Sequence, residues 1–258
     1  MTRALIVISF FGLNAVNGFA YAQTAADAYY SPEEMAAARH HLYNHHGNGR
    51  VSYIEAERLE YRTGEGESGF LWDGQGWIGG DDHKVWLKTE GEIDFDGSSV
   101  EEAEVQLLYS RAISSFFDAQ IGIRHDIKPN PSRTYAVVGL QGLTPYHFEL
   151  DAATFISDKG DVSARIEAEY ELLLTQRLIA QPRTELNIAL QDTPSIDVGS
   201  GLSTVELGVR LRYEIKREIA PYIGVSWERS LGDTADFARE NGDDPSTVFF
   251  VAGVRSWF

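Results

Sequence analysis

The chain has 258 residues, no cysteine and a net charge of −17. Without cysteine there is no disulfide, zinc-finger or thiol chemistry. A chain so acidic does not suit nucleic acid, whose phosphates call for a basic surface.

The first 22 residues read as a secretory signal peptide. Arg3 precedes an apolar run from Ala4 to Leu13, and Ala20-Tyr21-Ala22 stands before Gln23. The run is short of the roughly 18–20 residues a spanning helix needs, and no such run follows it. Export is therefore expected, and removal of Arg3 makes the exported chain one charge more negative.

Residues 23–80 show no sustained strand pattern and read as a flexible, periplasmic leader and linker. Ser31-Pro32-Glu33-Glu34 has the marks of a helix start: an N-cap serine, proline at the first helical position and a capping-box glutamate. The helix should run through MAAARHHLYNHH and stop at Gly47. Four of the seven histidines, His40, His41, His45 and His46, fall in this stretch. On a helix His41 and His45 share one face, as do His40 and Asn44, which is a spacing that lets two side chains hold one metal ion. The alternative is a solvated polar segment. The glycine- and acid-rich TGEGESGFLWDGQGWIGGDD then reads as a linker.

From Asp81 the periodicity becomes two. In KVWLKTEGEIDF, Val85, Leu87, Thr89, Ile93 and Phe95 oppose Lys84, Lys88, Glu90, Glu92 and Asp94. EEAEVQLLYS, YHFELDA, VSARIEAEYELLL and VELGVRLRYEIK alternate in the same way to the C-terminus. Breaks in the pattern give ten strands, near 83–96, 100–112, 114–128, 132–143, 145–157, 161–176, 178–191, 203–217, 219–231 and 247–258. Connections alternate between short (Thr144–Pro145, Gln176–Leu178) and long (Asp192–Ser203, Gly232–Ser246). An exported chain with that asymmetry and a terminal aromatic strand, STVFFVAGVRSWF, is expected to be all-β. The fold is a transmembrane, antiparallel, up-and-down β-barrel over residues 81–258, with ten strands, or eight or twelve as fallback. Its apolar face meets outer-membrane lipid, its charged face fills the lumen, and an even strand count puts both ends in the periplasm. The lumen arginines, Arg165, Arg183, Arg210 and Arg212, should be salt-bridged to carboxylates, as should Arg124 to Asp126.

Several stretches resemble the copper resistance protein B family. They are GFLWDGQGWIGGDDHKVWLKTEGE, VEEAEVQLLYSRAIS, IGIRHDIKPNPSRTYAVVGLQGLTPYHFELDAATFISDKGDVSARIEAEYELLLTQRLIAQPR, GVRLRYEIKREIAPYIGVSWER and FVAGVRSWF. The likeness spans about residues 51–258 and includes unusual runs such as RHD and LLLTQRLI. It implies an outer-membrane barrel in bacterial copper tolerance, copper as the bound ion, and a periplasmic multicopper oxidase as working partner. Members often carry a leader rich in methionine and histidine. Here the exported chain keeps only Met35. Thioethers suit cuprous ion and imidazoles suit cupric ion, so the leader is expected to favour Cu(II) over Cu(I).

The copper candidates are then His40, His41, His45 and His46 on the leader, His83 at the start of the barrel, and His147, Glu149 and Asp151 on one lumen-facing row. His125 shares the apolar parity of Ile121 and Ile123 and is expected at the lipid interface. No G-x-S-x-G elbow or triad is evident, so an outer-membrane hydrolase is not expected. The competing class is a structural or adhesive barrel without metal. The barrel is expected to act as a monomer that sequesters or exports copper.

Overall fold

The computed structural model describes residues 25–42, 44–45, 49–64, 67–95, 97 and 99–258. The signal-peptide segment and His46 lie outside the described residues. The chain forms two units, Met1–Asn48 and Gly49–Phe258.

In the first unit, helix α1 spans Pro32–Leu42. Its start is the expected capping box. Ser31 N donates to Glu34 Oε2 at 2.9 Å, Ser31 Oγ donates to the same oxygen at 2.8 Å, and Glu34 N donates back to Ser31 Oγ at 3.3 Å. The Ser31 amide and then its hydroxyl hold the fully exposed Glu34 carboxyl below the usual carboxylate range.

The second unit is a closed barrel. Its strands are β1 (Val51–Gly64), β2 (Glu67–Gly79), β3 (His83–Asp94), β4 (Ser99–Ala112), β5 (Phe117–Lys128), β6 (Arg133–Leu143) and β7 (Phe148–Ser157). They continue with β8 (Val162–Tyr170), the two-residue β9 (Leu172–Leu173), β10 (Leu178–Ala189), β11 (Gly201–Tyr213), β12 (Ile219–Ser230) and β13 (Ser246–Trp257). β8 and β9 both pair with β10 and share one place in the wall, so the thirteen segments make twelve staves. All pairings are antiparallel, and β1 closes on β13 with Tyr61 opposite Ala252. Ile54 and Phe258 exchange backbone hydrogen bonds of 3.0 and 2.8 Å at that seam.

Twelve staves is the upper fallback of the sequence reading, and the domain boundary moves with it. The segment read as linker supplies β1 and β2, so the barrel begins at Val51, not Asp81. The period-two signal in β1 is broken by a bulge between Ala56 and Arg58, which sets Glu57 and Arg58 to the lumen in succession. In β2 the outward row carries Gly74 and Gly76, where no side chain could mark the alternation. The later strands fall close to their expected limits.

Elsewhere the alternation is as expected. Leu87, Leu107, Ile121, Ile123, Val209, Ile223 and Phe250 stand exposed on the outer surface, where lipid replaces water as their partner. Among the described residues no helix is long and apolar enough to cross a membrane. The strands do the crossing. Among the described residues the interior holds an apolar cluster, Trp86, Leu108, Tyr135, Val137 and Phe155, and elsewhere buries many charged and polar side chains.

One rim carries short turns and both ends of the barrel chain. The other carries the longer connections, including the 3-10 turn Pro194–Ile196 and helix α2 (Gly232–Asn241). The short-turn rim is the periplasmic one by the loop asymmetry of such barrels.

Candidate functional site

His40 and His41, in the last turn of α1, and His45, just past its end, follow at the helical spacing. The rings of His41 and His45 lie 4.3 Å apart between centroids, tilted by 38°. Asn44 Nδ2 donates to His40 Nδ1 at 3.2 Å. Two side-chain pairs are thereby brought within reach of a shared ion, one purely imidazole and one imidazole–amide. His46, the fourth member, lies outside the described residues.

The barrel lumen is braced by ion pairs that span its width. Arg58 bonds Asp73 at 3.0 Å and Glu90 at 2.6 Å. Arg165 reaches Glu90 at 2.9 Å and Glu104 at 3.0 Å. Arg183 holds Glu167 at 2.8 Å and both Glu185 and Glu206 at 2.7 Å. Arg124 is paired with Asp126 at 2.6 Å, as the sequence suggested, and with Glu104 at 2.7 Å. Charges this far from water are tolerated because opposite charge and hydrogen bonds surround them.

On the turn side of this belt lies a cavity of about 340 Å³. Its lining includes eight carboxylates against two cations, Lys88 and Arg165. Among the described residues, Glu57, Glu167 and Glu169 each place one oxygen so that the three lie within 4.8 Å of one another. Oxygen donors at that spacing suit a divalent cation better than a cuprous one. Sequence reasoning missed this trio because Glu57 lies in the stretch taken as leader. The run YIEAERLEYR does carry a signal, with Ile54, Ala56, Leu59 and Tyr61 outward once one residue is allowed for the bulge.

The other sequence candidates separate. Glu149 and Asp151 line the cavity. Asp151 is paired with Lys88 across the lumen, from β7 to β3. His147 does not join their row. It sits exposed in the turn before β7 with a left-handed φ of 65°, beside Tyr146 at 72°. His83 faces outward because the alternation turns its neighbour Lys84 inward. Its ring stacks on Tyr109 at 5.9 Å, and Nδ1 lies 2.5 Å from the Tyr109 hydroxyl. His83 therefore stands at the lipid rim and does not line the lumen mouth. His125 also faces out, 2.9 Å from Thr134 Oγ1, as its parity predicted.

A closed antiparallel barrel, apolar outside and ion-paired inside, defines an outer-membrane β-barrel of a Gram-negative bacterium. The NanC porin shares the fold: 14% identity, a TM-score of 0.52, 80% of this chain and 99% of that one. The chain belongs to the copper resistance protein B family, a family named for its part in copper resistance. The family model described as copper resistance protein B precursor matches residues 50–258. A copper resistance protein B homolog of Pseudomonas syringae pv. tomato is 44% identical over 233 residues, which cover 88% of this chain and 79% of that protein. Copper resistance protein B of Escherichia coli is 45% identical over 202 residues, covering 78% and 68%.

Proposed function

We propose that this protein serves copper resistance by binding copper on the periplasmic side of the outer membrane and sequestering it or passing it on for export. The observation that carries the reading is the His41–His45 pair, 4.3 Å between ring centroids. Paired neutral imidazoles take up Cu(II) in preference to Cu(I). His40 and Asn44 supply further donors along the same turns, and His46 adds a fourth imidazole to the segment. The carboxylate-rich cavity, with Glu149, Asp151 and the Glu57–Glu167–Glu169 trio, offers a cation a second resting place after capture. His83 and His147, at the same rim of the barrel, are surface donors.

The family membership supports copper as the cargo. A periplasmic multicopper oxidase is the expected partner, the one that sets the copper's oxidation state. The role is one of binding, not catalysis, by a single barrel seated in outer-membrane lipid. The test is Cu(II) titration of the mature protein with and without residues 23–48. Loss of the tighter binding class on truncation is the expected result. Unchanged binding moves the copper site into the barrel. No binding by either form, together with unchanged copper tolerance in a deletion strain, leaves a structural barrel.

A further inference from the structure

Arg133 opens β6, whose sheet neighbours are β5 and β7. Its side chain nevertheless reaches two long-side connections. One guanidinium nitrogen pairs with Asp161, in the β7–β8 turn, and Nη2 donates to Ser195 Oγ at 2.6 Å, in the β10–β11 connection. Ser195 can be there only because residues 190–200 fold inward over the lumen. Thr193 is buried, and Ile196 and Val198 line a chamber of about 230 Å³ beneath.

The same connection is fixed on its other flank by α2. Gly199 N donates to the buried Thr234 Oγ1 at 2.9 Å, and Asn241 Nδ2 donates to Asp197 Oδ2 at 3.1 Å. The approach at Gly199 is so close that a Cβ there would meet Asp233 Cβ at 2.6 Å.

Asp161 is the hub on the Arg133 side. It also accepts from Ser157 Oγ at 3.2 Å and Gln191 Nε2 at 3.4 Å. Burial raises its carboxyl, but the hydrogen bonds from Gln191 and Arg133 more than offset this and hold it below the ordinary range. Arg133 itself is only 6% exposed, and its Nε has no acceptor among the described residues. The lid is thus held to the wall by Arg133 through Ser195 and by Asp161 through Gln191, side-chain bonds that can break without disturbing the sheet.

We propose that residues 190–200 and α2 form a lid over the β6–β8 side of the cell-exterior mouth of the barrel, and that Arg133 is its latch. The chamber under the lid continues past Glu90, Glu102 and Glu185 into the rest of the mouth, and the lid screens its β8 side from outside until Arg133 lets go of Ser195.

A chain without cysteine makes the test direct, because one introduced thiol is unique. Ser163 lines the chamber from β8, and Ser163→Cys is labelled in intact cells with a membrane-impermeant maleimide. Labelling should be slow with Arg133 in place. In Arg133→Gln it should be about tenfold faster or more, the response to removing one charge-assisted hydrogen bond from the closed state. Glu240→Cys, exposed on α2, should label quickly in both backgrounds. Heat-modifiable gel mobility reports that each barrel is folded. Where Arg133→Gln fails to fold, Ser195→Ala removes only the lid's acceptor and should give a smaller acceleration. Fast labelling in the parent, or equal slow rates in the folded variants, overturns the proposal.

Discussion

Arg210 on β11 forks onto Glu60 on β1, three staves away, with Nε donating to Oε2 at 2.7 Å and Nη2 to Oε1 at 3.2 Å. Glu60 has no exposed surface at all, and Arg210 is nearly as enclosed. Removing one member leaves the other as an uncompensated buried charge. Glu60→Leu should therefore cost about 3–5 kcal/mol of barrel stability. Lipid-facing Leu150→Ala, which strands nothing, should cost about 1 kcal/mol. Denaturant unfolding in lipid vesicles measures both, and equal costs would mean that the pair contributes no more than packing.

The two lumen glutamates that the sequence treats alike should part company. Glu167 is held by Arg183 at 2.8 Å, whereas Glu149 faces the cavity with no ion pair among the described residues. Glu167→Gln should destabilise the barrel by roughly 2 kcal/mol or more, since it weakens a buried network. Glu149→Gln should stay within about 0.5 kcal/mol, the range of a substitution that breaks no such feature. The same unfolding transitions decide, and a large loss at Glu149 would place it inside the belt.

Truncation should divide at Asn48. β1 pairs with β13 on one side and β2 on the other, so removing residues 23–80 opens the wall and exposes two unpaired strand edges to lipid. Deleting 23–48 should leave a heat-modifiable barrel in the outer membrane, and deleting 23–80 should leave none. A folded barrel from the longer deletion would show that ten staves can close without β1 and β2.

The contrast between β1–β2 and the other strands shows what the sequence could carry. Alternation is legible where every second side chain is apolar and outward, as in Val205, Leu207, Val209 and Leu211 of β11. It fails where a bulge shifts the parity at Ala56–Arg58, and where outward positions are Gly74 and Gly76. The capping box of α1 was legible because it is local, all within four residues. The His41–His45 face was legible for the same reason. The Arg133 latch and the Glu57–Glu167–Glu169 trio were not, since they depend on which staves oppose one another once the barrel has closed. His147 looked like a strand residue by parity, and only its left-handed backbone takes it out of the row.

The capping box gives α1 a pH dependence of known sign. The Glu34 carboxyl lies below its ordinary value when the helix is formed. Its contribution is therefore complete above the unfolded carboxylate pKa, about 4.3, and is lost as pH falls through the lowered folded value. Backbone chemical shifts of residues 32–42 should hold steady from neutral pH down to that range and move towards coil below it. Ser31→Ala should lower the helicity already at neutral pH and flatten the acid transition. A transition that rises in strength in Ser31→Ala would show that another carboxylate controls the helix.

The leader histidines make the sharpest statement about copper. His41 and His45 have their rings together at 4.3 Å, and His40 is joined to Asn44 at 3.2 Å, before any metal arrives. The ordering cost of bringing these donors together is thus partly met by the helix itself. A proton competes with the metal for each imidazole nitrogen, so capture weakens as the medium acidifies. Replacing His40, His41, His45 and His46 together by alanine should reduce Cu(II) affinity of the mature protein on the order of tenfold or more. The difference between parent and mutant should be larger at about pH 7.5 than at about pH 5.5, since acid favours the proton over the metal at any imidazole nitrogen. Barrel assembly should be unaffected, because α1 belongs to the unit that ends at Asn48. Isothermal titration at both pH values reads the affinity, and growth of a complemented deletion strain on copper reads the consequence. A quadruple mutant that binds Cu(II) as tightly as the parent at both pH values would make the cluster a solvated stretch of helix and leave the carboxylates of the turn-side cavity as the copper ligands.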